Sequence, residues 1–244
     1  MSLPADLYSL VSSFLQRIVG SVGTSLAMVI LMSLSSYGQD NTADIHINSS
    51  AELAARQEAE SLNNQGYEQL EAKQYATAEA LFRQALELDS TSLLYYENLA
   101  RSLGEQQKTA QVVTVYDRAQ QQFPEVSDLY YYRADAKQKL AQYEAAREDY
   151  TQAIALIDQN PGSLLQHLYY FNRGNTYLKQ RDYAAALRDY DQAVRINEFH
   201  YGSYANRGFA RYNLNDKAGA CADWRKAQEA GYEAAKTYLA KFCP

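Results

Sequence analysis

The chain has 244 residues, 21% of them charged, with a net charge of −6 and a pI near 5.2. That balance provides no basic stripe to replace phosphate counterions, which argues against a nucleic-acid partner. Four prolines and eleven glycines are few, as a mostly helical chain requires.

Taken in order, the chain opens with an apolar, uncharged stretch, Ile18–Leu34, preceded by Arg17 and followed by Ser35-Ser36-Tyr37-Gly38-Gln39-Asp40. A positive residue, an apolar core and small residues before a polar start predict a secretory signal over 1–38, cleaved after Gly38 or Gln39. The alternative is an uncleaved membrane anchor, for which seventeen apolar residues are short. No cysteine precedes Cys221, so there is no lipid attachment site of the lipoprotein kind. Either reading makes the protein exported, periplasmic or extracellular. Residues 39–49 are polar and aperiodic, a predicted disordered spacer. Ser49 or Ser50 then suits the start of a helix, with Glu52 in its first turn.

From there one pattern recurs. A small residue stands at Gly66, Ala100, Ala134, Gly174 and Gly208, at intervals of 34, 34, 40 and 34. Each is followed by a polar break and a second apolar period carrying Phe82, Tyr116, Tyr150, Tyr190 or Trp224. Ala78, Val112, Ala146, Ala186 and Ala220 precede that aromatic by four positions. Ala85, Ala119, Ala153, Ala193 and Ala227 follow it by three. These spacings place the residues on one face of each of two helices, neither long enough to be stable alone. Gly or Ala lets two helix backbones approach, and the ring fills the space beside them. The six extra residues of the 40-residue interval fall at or beside Pro161-Gly162-Ser163.

Two charged columns change together. Arg133, Arg173 and Arg207 directly precede the small residue, while Asp149, Asp189 and Asp223 directly precede the aromatic. The first two repeats have neither, holding Gln65 and Leu99 in one slot and Leu81 and Val115 in the other. This predicts Arg–Asp contacts between helices, within a repeat or to the next; the alternative is that these arginines grip an acidic ligand. After Gly231, Ala234, Ala235, Tyr238, Leu239 and Phe242 form the apolar side of a short helix able to cover the last repeat. In an oxidising compartment Cys221 and Cys243 are expected to bond, stabilising by roughly 3 kcal/mol in the chain-entropy model; otherwise they are two unrelated thiols.

On these residues, from about Ser50 onward, the chain resembles the tetratricopeptide repeat family. The resemblance implies an all-α, right-handed α-solenoid of five helix–turn–helix repeats at about 59–92, 93–126, 127–160, 167–200 and 201–234. The array then spans 50–231, with a capping helix over 232–244. It further implies a concave wall built from the first helices, a non-enzymatic interaction module, and a peptide or protein partner. Mapped onto this sequence, the groove residues are Asn64, Tyr67, Asn98, Arg101, Tyr131, Tyr132, Asn172, Asn175, Asn206 and Phe209, with Asn63, Glu97, Asp135, Phe171 and Tyr212 on the same wall. Asn64, Asn98, Asn172 and Asn206 share one slot, which Tyr132 fills in the third repeat. Amides in file can bond a peptide main chain without reading its sequence; the alternative is that they bond a neighbouring helix end. A neutral or mildly basic, partly apolar segment is the expected ligand. A structural scaffold acting through its convex face or ends is the second functional class. No nucleophile elbow, phosphate loop or zinc signature is present. His46, His167 and His200 are scattered without ligand spacing, so no cofactor or metal is expected.

Overall fold

The computed structural model describes residues 49–159 and 165–243, which are helical with no strand among them. The expected signal segment, the expected spacer up to residue 48 and the expected loop at Pro161-Gly162-Ser163 lie outside the described residues. Of the chain up to Glu58, the described residues 49–58 are helical, and Arg56 pairs there with Glu52 at 2.9 Å. The unit Ala59–Pro244 is a linear array.

In the array, helix α1 covers 59–71. It is followed by α2 (Tyr75–Leu88), α3 (Leu93–Glu105), α4 (Thr109–Gln122), α5 (Ser127–Lys139) and α6 (Tyr143–Ile157). Then come α7 (Gln166–Lys179), α8 (Tyr183–Ile196), α9 (Tyr201–Asn213), α10 (Lys217–Glu229) and α11 (Glu233–Phe242). Along α2–α11 each helix packs on the next, and α7 also touches both α5 and α9, the first helices of the adjoining repeats. This is the packing of a helical-repeat solenoid, in which each repeat contacts only its neighbours.

The junction inside each hairpin is set by sterics. A β-carbon built on Gly66 would lie 2.7 Å from the Phe82 ring, on Gly174 2.8 Å from Tyr190, and on Gly208 2.6 Å from Trp224. All three rings are fully buried. The Trp224 indole is further fixed by donating from Nε1 to the Ala205 carbonyl at 3.0 Å.

The turns inside the hairpins repeat as regularly. Lys73, Gln107, Ala141, Arg181 and Asn215 all have φ between 58° and 67°, each seven residues after the small one. In every case the next amide reaches back to close the helix end, as in Gln142 N to Lys137 O at 2.9 Å and Asp182 N to Tyr177 O at 3.0 Å. This is a left-handed helix stop, for which glycine is the least strained residue. Only asparagine among the five tolerates it well.

The arginine and aspartate columns meet as two-pronged ion pairs within each of the last three repeats. Arg133 reaches Asp149 at 2.6 and 2.8 Å, Arg173 reaches Asp189 at 2.7 and 2.8 Å, and Arg207 reaches Asp223 at 2.7 and 2.9 Å. Each guanidinium also bonds the second helix of the preceding repeat, at Asp117, Thr151 and Asp191 respectively. That third column follows the aromatic by one position and is not evident from the sequence reading. Asp149 and Asp223 gain a second cation, Lys137 and Arg211, whereas among the described residues Asp189 is ion-paired with Arg173 alone. Burial raises the Asp189 carboxyl above its ordinary range, with Arg173 pulling the other way.

At the far end α11 lies against α10, and Cys243 is disulfide-bonded to Cys221 with their Cα atoms 5.9 Å apart.

Five variants test this account by urea or thermal unfolding. Ala141→Gly relieves the left-handed turn and should stabilise by about 1 kcal/mol. Gly208→Ala should destabilise by about 1–2 kcal/mol, because overpacking against the immobile Trp224 exceeds the gain in helix propensity. Gly104→Ala, which meets nothing within 4 Å, is the control expected to stabilise. Arg173→Ala should cost about 3 kcal/mol by stranding the buried Asp189, while the double change Arg173→Leu/Asp189→Val, copying Leu99 and Val115, should stay within about 1 kcal/mol of the parent. Equal losses in the single and double variants would refute the ion-pair account.

Candidate binding groove

An open groove of about 820 Å3 runs between α3 and α5, over the first turns of α4. Its α3 wall is Glu97, Ala100, Arg101 and Gly104; its α5 wall is Tyr132, Asp135, Ala136 and Lys139; Gln107, Thr109, Val112 and Tyr116 close the floor. The helical interval explains the walls: Glu97, Arg101 and Gly104 recur at four and three residues, as do Tyr132, Asp135 and Lys139. Gly104 leaves the α3 wall without a side chain at the point where the groove meets the turn.

The aromatic content lies on one flank. Tyr132 stacks on Tyr116 with ring centres 6.0 Å apart, and it meets Tyr131 edge-on at 5.2 Å. Tyr131 in turn stacks on Tyr169 at 4.6 Å, so a continuous tyrosine layer leads from the groove into the next repeat. Tyr132 is 41% exposed and offers its outer face to the groove, while Tyr116 is buried beneath it. Burial, then the charges of Asp135 and Tyr132, pushes Tyr131 up to about 12, so it stays a neutral phenol.

The charges are unevenly matched. Arg101 is bound to Glu71 at 3.2 Å and Lys139 to Asp135 at 2.7 Å. Among the described residues Glu97 has no cation, and burial followed by the charge of Asp128 raises its carboxyl above the ordinary range. A groove with one under-compensated carboxylate beside an exposed tyrosine face is suited to a cation carried on an apolar segment.

The structure corrects several of the expected groove residues. Asn98 is buried and donates to Asn63 Oδ1 at 2.9 Å. Asn172 donates to the Tyr131 hydroxyl at 2.7 Å. Asn206 donates at 2.8 Å to Asn175 Oδ1, which also accepts from the Tyr190 hydroxyl at 2.8 Å. These amides tie the first helix of one repeat to that of the one before, and Asn98 is buried in doing so, whereas Asn172, Asn175 and Asn206 stay partly exposed. Asn64 and Tyr67 are exposed but lie outside the groove lining. Phe209 is partly covered by Tyr238 of α11, with ring centres at 6.1 Å, because the capping helix occupies the place of a further first helix. Of the expected set, Arg101 and Tyr132 line the groove, and Tyr131 supports Tyr132. Glu97 and Asp135 belong to the same mapped wall, but Gly104 and Tyr116 have no groove signal in the sequence, where Tyr116 is a packing residue and Gly104 an isolated helical glycine.

The histidines also need correction. His167 and His200 are not scattered: the repeat interval brings their rings to 4.9 Å. His200 is held below the ordinary histidine range by burial and by His167, and its Nδ1 lies 2.7 Å from Ser203 Oγ. Among the described residues no cluster of three metal-ligating side chains exists, and no helix is long and apolar enough to cross a membrane.

Comparison with known proteins bears on the repeats and the fold. Residues 59–92, 127–160 and 167–200 match family models of the tetratricopeptide repeat. The six residues between the last two matches are the insertion seen in the interval. No curated protein matches the sequence significantly. Among solved structures, MamA superposes with a TM-score of 0.63 at 16% identity, covering 76% of this chain and 96% of MamA. YrrB, described as a TPR protein with an unusual peptide-binding site, gives 0.61 at 18%, covering 73% and 90%. PilF of Pseudomonas aeruginosa gives 0.61 at 15%, covering 77% and 87%. At such identities the likeness is one of fold.

Proposed function

We propose that this chain, an all-helical solenoid carrying tetratricopeptide repeats, holds a segment of another protein in the groove between α3 and α5. The observation that carries the reading is Glu97, a half-buried carboxylate with no cation of its own, set across from the exposed face of Tyr132. The ligand is an extended, mildly basic stretch: a lysine or arginine satisfies Glu97, and an apolar neighbour lies on Tyr132. Peptide binding by YrrB, a neighbour in fold, makes the groove the natural place to look. The pairing of Cys221 with Cys243 supports an oxidising compartment, in keeping with export through the 1–38 segment.

A panel of short synthetic peptides with lysine replaced in turn by alanine, read by fluorescence anisotropy, tests this. Glu97→Gln should weaken the lysine-bearing peptides by about tenfold, equivalent to 1.4 kcal/mol, and leave the alanine versions unchanged. The same change should leave stability equal or slightly higher at neutral pH. A carboxyl whose pKa is raised on folding contributes stability at low pH and loses it as pH rises through that pKa, so its amide removes a cost. Binding runs the opposite way: it should strengthen as pH rises through the raised pKa of Glu97 and fade below it. Tyr132→Asn, copying the other repeats, should weaken all the peptides. Tight binding that ignores both substitutions sinks the proposal.

A further inference from the structure

A second cavity lies at the seam of α2, α3 and α4 and shares no lining residue with the groove. It measures about 250 Å3, with Leu86, Leu99, Val115 and Tyr96 as its apolar lining and Arg83 and Arg118 among its polar residues. Its origin can be read from the other repeats. In the third and fifth, the same seam is filled by Arg133 or Arg207, each clamped between an aspartate of its own second helix and one of the preceding second helix. Here the arginine slot is Leu99, the first aspartate slot is Val115, and the second is Arg83. The filling side chain is shortened and the charge at the edge is reversed.

Two polar groups at this seam are left over. The Tyr96 hydroxyl is buried and has no hydrogen-bond partner in the protein. Its counterparts are all engaged: Tyr130 bonds the Pro124 carbonyl, Tyr170 bonds Asp158, and Tyr204 bonds Lys226. Arg118 stands two positions after the repeat aromatic, as Lys226 does, and lies 5.9 Å over the Tyr96 ring; among the described residues it makes no ion pair or hydrogen bond. Arg83 is already held by Glu79 and Gln111, and Lys108 shares Glu79, which leaves Arg118 as the available cation. An apolar cavity of this size with one spare guanidinium and one spare hydroxyl complements a small apolar body carrying a single acceptor charge.

We propose that the Leu99–Val115 seam is a binding site for an apolar carboxylate. The acid group would pair with Arg118, and the hydrocarbon would fill the space that an arginine fills in the later repeats. A free short-chain acid and the C-terminal residue of a protein share this chemistry.

The test is calorimetric titration of the full chain with hexanoate and, separately, with hexanamide. Hexanoate should bind and hexanamide should not. Arg118→Gln should weaken hexanoate by about tenfold or more. Leu99→Arg/Val115→Asp, which rebuilds the ion pair of the third repeat, should abolish binding while keeping a cooperative melt. Glu97→Gln should leave it unchanged, which separates this site from the groove. Peptides ending in leucine, with the terminus free or amidated, assign the source. A free-ended peptide binding more tightly than hexanoate points to a protein terminus, and the reverse points to a free acid. Equal binding of hexanoate and hexanamide, or hexanoate retained in a folded Leu99→Arg/Val115→Asp variant, overturns the proposal.

Discussion

Each hairpin closes on a contact between a side chain that is almost absent and a ring that is almost too large. At Gly66, Gly174 and Gly208 the ring lies where a methyl group would have to be. This contact sets how near the two helices lie, and with it the place of every residue one turn further along. Helices of 13 to 15 residues, the length of α2 to α10, have little stability of their own. The rings provide the apolar burial that the helices need, and the strained left-handed turns persist because that burial outweighs them.

Once the helices are placed, what fills the seams between repeats decides what each part of the array can do. In the last three repeats the seam holds an arginine joined to two second helices, so charge is neutralised and space is closed. In the second repeat the arginine and aspartate are replaced by Leu99 and Val115, and the seam stays open. A buried ion pair contributes little net stability over an apolar pair of similar size, so the exchange is tolerated by the fold. It changes instead which surfaces are available for binding.

The same distinction applies along the first helices. In the second, fourth and fifth repeats the asparagine of the shared slot bonds the adjacent first helix and serves the array's own cohesion. Where Tyr132 occupies it, the ring instead stacks on Tyr116 and keeps one face outward. The groove therefore opens in the repeat that breaks the pattern, next to one of the two repeats that lack the ion pair. A binding surface appears where the repeats stop being identical, because identical repeats are complementary chiefly to one another.

The interval of the small and aromatic residues, taken alone, determined the helical hairpins and their order, because spacing within one hairpin is what a linear pattern records. It also pointed the arginine column toward the aspartate column, but that each arginine takes the aspartate of its own repeat, sixteen residues on, was decided by the packed structure. The tertiary structure alone decided that Asn98, Asn172 and Asn206 face a neighbour, that α11 covers Phe209, that His167 meets His200, and that residues as different as Lys73 and Ala141 take the left-handed turn. Those outcomes depend on the rotation and translation from one repeat to the next, a relation between distant backbones that no local pattern encodes. Glu97 was visible as a groove position, but its want of a partner became apparent only when Arg101 turned to Glu71 and Lys139 to Asp135.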